Sequence, residues 1–221
     1  MTNQEFSIEF DILYNNISSN KAPGLNEYEK SVFLTKAQED IVTELYTGRN
    51  GTQNSFEETE ELRKYLNALI TTSICNQHIE NSPRMLTITN KSVVFDIPED
   101  VLFITKERCL VAPDSKEVEV YPVSQDELSK ILKNPFRGPS KTRVLRLEAT
   151  NNIIELISDN EIISYQIRYI RKPNPIILES LVDGLTINGE SEEFECELDS
   201  SIHRTILERA VALALQTMYS K

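Results

Sequence analysis

Histidine and cysteine are the side chains best suited to nucleophilic, acid–base or metal chemistry. The chain has two histidines, His78 and His203, and three cysteines, Cys75, Cys109 and Cys196. No two cysteines stand at metal-ligand or redox spacing, and neither histidine belongs to a His-x-x-x-His or Cys-x-x-Cys unit. The pattern therefore predicts structural histidines and reduced thiols, with no catalytic residue, no cofactor and no metal.

Two stretches of the sequence contain the acidic residues of a calcium-binding or catalytic site but lack the spacing that such a site needs. Residues 183–189 begin like a calcium-binding loop, yet the third and fifth positions are Leu185 and Ile187, which offer no side-chain oxygen. The glutamates between Glu57 and Glu61 crowd the predicted start of a helix, where the helix dipole favours negative charge. The sequence also lacks a glycine-rich phosphate loop and a Gly-x-Ser-x-Gly elbow. We therefore predict that the chain is not an enzyme.

One basic segment interrupts an acidic chain. The whole chain has a net charge of −12, but residues 130–172 carry nine basic and four acidic side chains. The acidic remainder argues against a dedicated nucleic-acid binder. Three interpretations of the segment stay open: a solvated sheet face, a docking surface for an acidic neighbour such as another copy of the chain, or a contact with DNA phosphates. The candidate interaction residues are Arg137, Lys141, Arg143, Arg146, Arg168, Arg171 and Lys172.

The elements that would carry these residues change in type along the chain. Apolar residues at helical spacing predict helices over 3–17 and 27–47, the second with a capping box at Asn26 and Glu29. A second capping box at Ser55 and Glu58 predicts a third helix that continues to about residue 79. The final helix is predicted over about 201–219, and its apolar residues on more than one face indicate burial on more than one side.

The middle of the chain has the alternation and β-branched content of strands. The predicted strands are 93–95, 101–111, 118–123, 142–148, 153–157 and 163–170, with a short helix over 125–132. The order of helices, then strands, then a helix favours an α+β fold. We predict a helical bundle formed by residues 1–83 and 199–221, with an antiparallel β domain inserted at 84–198.

The chain shows no pattern typical of export or of a membrane. Residues 1–11 are polar and acidic, and no basic region followed by an apolar run is present. The longest apolar runs are about five residues, whereas a membrane span needs about twenty. A soluble protein without a membrane partner is expected.

Three stretches of the sequence together resemble a known family. The first, Gly24 to Val42, is a helix that starts with Tyr28-Glu29 and continues through Phe33-Leu34, Ala37-Gln38 and Ile41-Val42. The second is residues 134–139 followed by residues 169–178, and the third is residues 196–211. In this order they resemble the head–tail connector proteins of short-tailed phages, which include adaptor and tail tubular proteins. The resemblance is strongest to the neck ring proteins of crAss-like phages.

The resemblance implies a structural virion protein. It implies a homo-oligomeric ring, typically twelvefold, that joins the portal protein to adjacent neck or tail proteins and extends the channel for viral DNA. The DNA would pass through the lumen without sequence-specific binding, and the ring would assemble in the host bacterial cytoplasm. No catalytic residue is implied. The alternative from the residues alone is a nucleic-acid-binding accessory protein that uses segment 130–172.

Overall fold

The computed structural model describes residues 1–18, 23–48, 56, 59–78, 92–150, 152–182 and 184–219. These residues divide into two compact units, one formed by residues 1–69 and 172–221 and the other by residues 70–171. The sequence predicts boundaries at 83/84 and 198/199. In the described residues, Ile70–Gln77 already belong to the β-rich unit, and residues 172–182 and 184–198 belong to the helical unit. No helix in the described ranges is long and apolar enough to cross a bilayer.

The first unit is organised by α1 (Asn3–Ser18), α2 (Glu27–Thr47) and α5 (His203–Tyr219). α2 begins where the sequence predicts, because the predicted capping box forms. The side chain of Asn26 accepts a hydrogen bond from the backbone N–H of Glu29, and the side chain of Glu29 accepts one from the backbone N–H of Asn26. It ends at Gly48, which adopts the left-handed conformation that glycine tolerates best.

α5 packs against both α1 and α2. It is preceded by a single 3₁₀ turn over Ser200–Ile202. Its buried residues form one broad face that covers about half of the helix circumference. They are Ile206, Leu207, Ala210, Val211, Ala214 and Leu215.

The predicted third helix is far shorter than expected. α3 spans only Glu60–Tyr65 and is followed by a 3₁₀ turn over Asn67–Leu69. Residues Ile70–Gln77 then form strand β1, so the prediction of helix to about residue 79 is wrong. The β-branched run Ile70-Thr71-Thr72 disfavours helix, and pairing with a strand distant in sequence supplies the hydrogen bonds. The predicted cap at Ser55 and Glu58 lies outside the described residues.

The second unit is a closed barrel of seven strands in the described part of the chain, in the order β1-β2-β6-β5-β4-β3-β7. The strands after β1 are β2 Ser92–Asp96, β3 Val101–Val111, β4 Lys116–Val123, β5 Arg143–Thr150, β6 Ile153–Ile157 and β7 Ile162–Arg171. All neighbouring pairs are antiparallel except β4 and β5, which are parallel. The expectation of a purely antiparallel domain therefore needs correction at this pair.

The parallel pair follows from the connection between its strands. Helix α4 (Gln125–Leu132) lies between β4 and β5, and parallel neighbours need such a crossover. Leu128 and Ile131 of α4 pack with Leu145 and Leu147 of β5. Inside the barrel, alternate residues of the strands form a separate core. Its buried members are Cys75, Phe95, Cys109, Val111, Val118, Val144, Ile154, Leu156, Tyr165, Ile167 and Tyr169.

Candidate assembly surfaces

A polar stripe on α2 is buried and fixes the segment that follows the barrel. Ser31, Thr35 and Gln38 are almost fully buried at helical spacing. The hydroxyl of Thr35 donates to the carbonyl of Ile176 at 3.2 Å and accepts from its N–H at 3.1 Å. Gln38 donates to the carbonyl of Asn174 at 2.7 Å, and Ser31 accepts from the N–H of Leu178 at 3.0 Å. The helix thus substitutes for a neighbouring strand along residues 174–178.

The three stretches that carry the family resemblance meet in this framework. Thr35 and Gln38 belong to the first stretch, residues 174–178 to the second, and Cys196 to the third. The thiol of Cys196 donates to the side-chain oxygen of Gln38 at 3.3 Å. In these three stretches, the side chains of Thr35 and Gln38 therefore hold the backbone of residues 174–178 in place.

Lys30 is a buried cation that joins α1 to α2. Its Nζ lies 2.7 Å from Asp11 Oδ2 and 2.9 Å from Glu27 Oε1, and it also donates to the hydroxyl of Ser7. Burial alone lowers the pKa of Lys30, but the hydrogen bonds and charges of Asp11 and Glu27 outweigh it and leave the pKa above its usual value. The ammonium is therefore held charged inside the fold.

His203 has a structural environment, as its sequence context predicts. Its Nε2 donates to the carbonyl of Leu198 at 2.9 Å, and its Nδ1 lies 2.8 Å from the amino group of Met1. The ring packs against Phe6 with a centroid distance of 5.4 Å. Burial lowers the pKa of His203, and the Met1 ammonium lowers it further, although the Leu198 hydrogen bond and the charge of Asp199 oppose this.

The three cysteines are free thiols with little nucleophilic character. Burial raises the pKa of Cys75 and Cys109 to about 12 each, and that of Cys196 to about 11. His78 pairs with Asp96 at 2.7 Å near the end of β1. Among the residues that the structure describes, no group of three or more His, Cys, Asp or Glu side chains could hold a metal ion.

The basic segment does not form one continuous cationic face. Arg146 shares the interior side of β5 with Val144, and its side chain is only 12% exposed. Its guanidinium lies 3.5 Å from Glu107 and 3.5 Å from Glu148. Tyr165 donates its hydroxyl hydrogen to Glu107. Arg146 is therefore part of an interior polar cluster and is not available as a docking cation.

Glu107 in this cluster is affected mainly by burial. Burial raises its pKa, while the hydrogen bond from Tyr165 and the charge of Arg146 only partly offset the effect. The same burial, together with Glu107, raises the pKa of Tyr165, so the phenol stays protonated.

The structure divides the remaining candidate residues among several places. Arg143, at the start of β5, donates to the carbonyl of Phe136 at 2.6 Å and lies over the ring of Tyr121 at 4.8 Å. Arg168 on β7 donates to Thr105, and Arg171 ends the same strand. Lys172 belongs to the other compact unit. Arg137 and Lys141 are exposed in the loop between α4 and β5.

An exposed aromatic marks that loop, and charge counting alone does not detect it. Phe136 is 86% exposed, the largest exposure among the exposed large hydrophobic residues of the described chain. The signal in the sequence was the rigid setting of this residue, between Pro135 and Pro139. A second exposed apolar tip, formed by Val182 and Leu185, lies in the segment after the barrel.

The chain is a protein of two units that contains both helices and strands. The buried polar groups described above bind other parts of the same chain, and the exposed apolar residues Phe136, Val182 and Leu185 lie outside the helices and strands. The chain belongs to the phage tail ring protein 3/4 family, whose model matches residues 1–221. It is 47% identical to Ring protein 3 of Bacteroides phage crAss001, over 97% of this chain and 95% of that protein. It is also 40% identical to Ring protein 4/5 of the same phage, over 97% and 92% of the two chains.

The family confirms the resemblance to crAss-like phage ring proteins. It is a family of structural, tail-associated ring proteins of bacteriophages, which argues against an enzymatic role.

Proposed function

We propose that the chain is one subunit of a head-to-tail connector ring that joins the portal protein to the tail and extends the DNA channel. The observation that carries the proposal is family membership over the whole length of the chain, together with relatives named as ring proteins. Closed rings are built from repeated contacts between unlike faces of identical subunits. A chain that carries both a basic segment, residues 130–172, and an acidic remainder suits such repetition.

The proposal includes partners and a location. The ring is twelvefold, lies in the neck of the virion between the portal and adjacent tail proteins, and assembles in the host bacterial cytoplasm. Viral DNA passes through its lumen. A subunit with a net charge of −12 repels phosphates on average, which lets DNA pass without being gripped.

No catalytic step is proposed for the ring. Burial keeps the thiols protonated, and the two ring nitrogens of His203 contact the Leu198 carbonyl and the Met1 amino group. The role is mechanical and depends on stable contacts between copies.

Electron cryomicroscopy of the intact virion tests the proposal. The expected result is a closed ring of copies around the DNA channel, adjacent to the portal, with a symmetry that can be counted directly. A ring elsewhere in the tail would contradict the connector role but not the family. Absence of the chain from purified virions, checked by mass spectrometry, would contradict the proposal as a whole.

A further inference from the structure

The loop that carries Phe136 is built to present this side chain. The N–H of Phe136 donates to the Asn134 side chain at 2.9 Å, and its carbonyl accepts from Arg143 at 2.6 Å. The N–H of Gly138 donates to the carbonyl of Asn134 at 2.9 Å, and a Cβ on Gly138 would come within 3.2 Å of that oxygen. A phenyl ring held in water by a hydrogen-bonded loop loses little conformational entropy when it is buried by a partner.

The sequence around Phe136 is cationic. Residues 129–147 contain six Lys and Arg side chains and no Asp or Glu. Lys133 is exposed before Phe136 in the sequence, and Arg137 and Lys141 are exposed after it. We call residues 133–141 the basic loop. An apolar centre with a charged rim is the composition of a protein interface.

A second surface of the same chain has the opposite character. Residues 173–203 contain eight Asp and Glu side chains and no Lys or Arg. Within this stretch Val182 is 69% exposed and Leu185 is 42% exposed, and the N–H of Leu185 donates to the carbonyl of Val182 at 3.2 Å. The glutamates at 190 and 192 are exposed. We call residues 179–182 and 184–192 the acidic loop.

The acidic loop is also held in place by its own backbone. Ile177 and Phe194 exchange hydrogen bonds of 3.0 and 3.1 Å, and Leu181 donates to the carbonyl of Ser191 at 2.7 Å. Asn188 donates to Glu39 of α2 at 2.7 Å. Each loop is therefore preorganised in the free chain.

We infer that the basic loop of one copy binds the acidic loop of the next copy, with Phe136 packed against Val182 and Leu185. The inference rests on the proposed ring, because a ring needs two unlike, complementary patches on every subunit. The charges of the loops are opposite, and each has an exposed apolar centre. Electrostatic complementarity of this kind fixes the register and orientation of the contact.

Charge reversal tests the contact with the full-length chain. One variant carries Arg137→Glu and Lys141→Glu, and a second carries Glu190→Lys and Glu192→Lys. Self-association is measured by sedimentation velocity over a series of concentrations, at low and at physiological salt. Each variant alone is expected to weaken self-association at least tenfold. Their equimolar mixture, and a chain with all four changes, are expected to recover it, because opposite charges again face each other.

Two controls separate a specific contact from general charge. The variant Lys36→Glu with Lys116→Glu changes net charge by the same amount at exposed positions outside both loops, and it should associate like the wild type. Phe136→Ala should also weaken association at least tenfold, whereas Ile163→Ala, at another exposed apolar residue, should not. Circular dichroism confirms that every variant is folded.

The inference is overturned if the wild type shows no self-association, if the charge reversals leave it unchanged, or if the combined variant fails to recover it. Recovery only in the presence of a different ring protein would assign the loops to a contact between unlike chains and would equally overturn it. A ring seen in the virion alongside any of these results would leave the proposed function standing without this contact.

Discussion

At the scale of single residues, the side chains with chemical potential are used to hold the fold. Lys30, His203 and Arg146 would each be candidates for function if exposed, yet each is buried against specific partners. Each is hydrogen-bonded or ion-paired in a buried environment, so removing one partner should change the free energy of unfolding measurably.

Arg146 and Arg137 are both predicted interaction residues, and the structure places them in different environments. Arg146→Met removes the cation next to Glu107 inside the barrel, where both side chains are only 12% exposed, and should lower the free energy of unfolding by about 3 kcal/mol. Arg137→Met, at an exposed loop position, should change it by less than about 0.5 kcal/mol. Urea denaturation followed by circular dichroism measures both. Equal losses in the two variants would contradict the interior cluster.

His203 should make the free energy of unfolding depend on pH. Its folded pKa lies below the unfolded value, so the folded state favours the neutral ring. The full stability is present above the unfolded pKa and is lost as pH falls from about 6.5 towards the folded pKa. The slope for this one proton cannot exceed about 1.4 kcal/mol per pH unit.

The variant His203→Gln keeps a donor for Leu198 but does not titrate. We expect the difference in unfolding free energy between wild type and variant to shrink from pH 7.5 to pH 5.5, in urea titrations at each pH. A constant difference over this range would show that His203 titrates alike in the folded and unfolded chains.

At the scale of elements, local signals located most of the helices and strands. The capping box of α2, the short α4 and the limits of β3 and β6 follow directly from caps, periodicity and proline positions. β1 was missed because the apolar spacing of Leu62, Leu66 and Leu69 continues the helical pattern into residues that pair with β7 instead. Strand partners are distant in sequence, so composition alone could not identify them.

For the candidate surfaces, the sequence indicates which segment is basic but not which of its side chains are exposed. Charge counting located the basic segment, but it could not separate the interior-facing Arg146 from the exposed Arg137, because strand direction decides between them. The buried stripe of α2 was equally hidden, since Thr35 and Gln38 look like ordinary surface residues until their backbone partners are known.

The α2 stripe supplies a prediction with a matched control. Thr35→Val keeps the volume but leaves the buried N–H and carbonyl of Ile176 without their partner, and should cost about 1–3 kcal/mol in unfolding free energy. Thr43→Val removes a hydroxyl on the same helix that is exposed and donates only to the carbonyl of Glu39, so its cost should stay below about 0.5 kcal/mol.

Thermal unfolding ranks the two valine variants, and amide hydrogen exchange of Ile176 locates the effect. Faster exchange at Ile176 in Thr35→Val but not in Thr43→Val is expected. Similar behaviour of the two variants would mean that α2 does not hold residues 174–178 in solution.

At the scale of the whole molecule, charge is segregated along a chain that is acidic overall. The basic segment up to Arg171 lies in the barrel unit, and the long acidic stretch after residue 172 lies in the helical unit. This polarity favours repeated contacts between copies over binding to a uniform polyanion. The two uses of the basic segment make opposite predictions for DNA.

A nucleic-acid-binding accessory protein would use the basic segment to neutralise phosphates, and each neutralised phosphate adds about −0.9 to the slope of log affinity against log salt. We expect the chain to bind duplex DNA more weakly than about 10⁻⁴ M at physiological salt, because its net charge is −12 and Arg146 is occupied by Glu107. Fluorescence anisotropy over a salt series measures affinity and slope together.

Replacing Arg143 and Arg146 by alanine should leave any residual slope unchanged, since the Arg143 guanidinium is hydrogen-bonded to the Phe136 carbonyl and stacked on the Tyr121 ring. Micromolar affinity with a slope that becomes shallower by about two on this double substitution would favour the accessory-protein function instead.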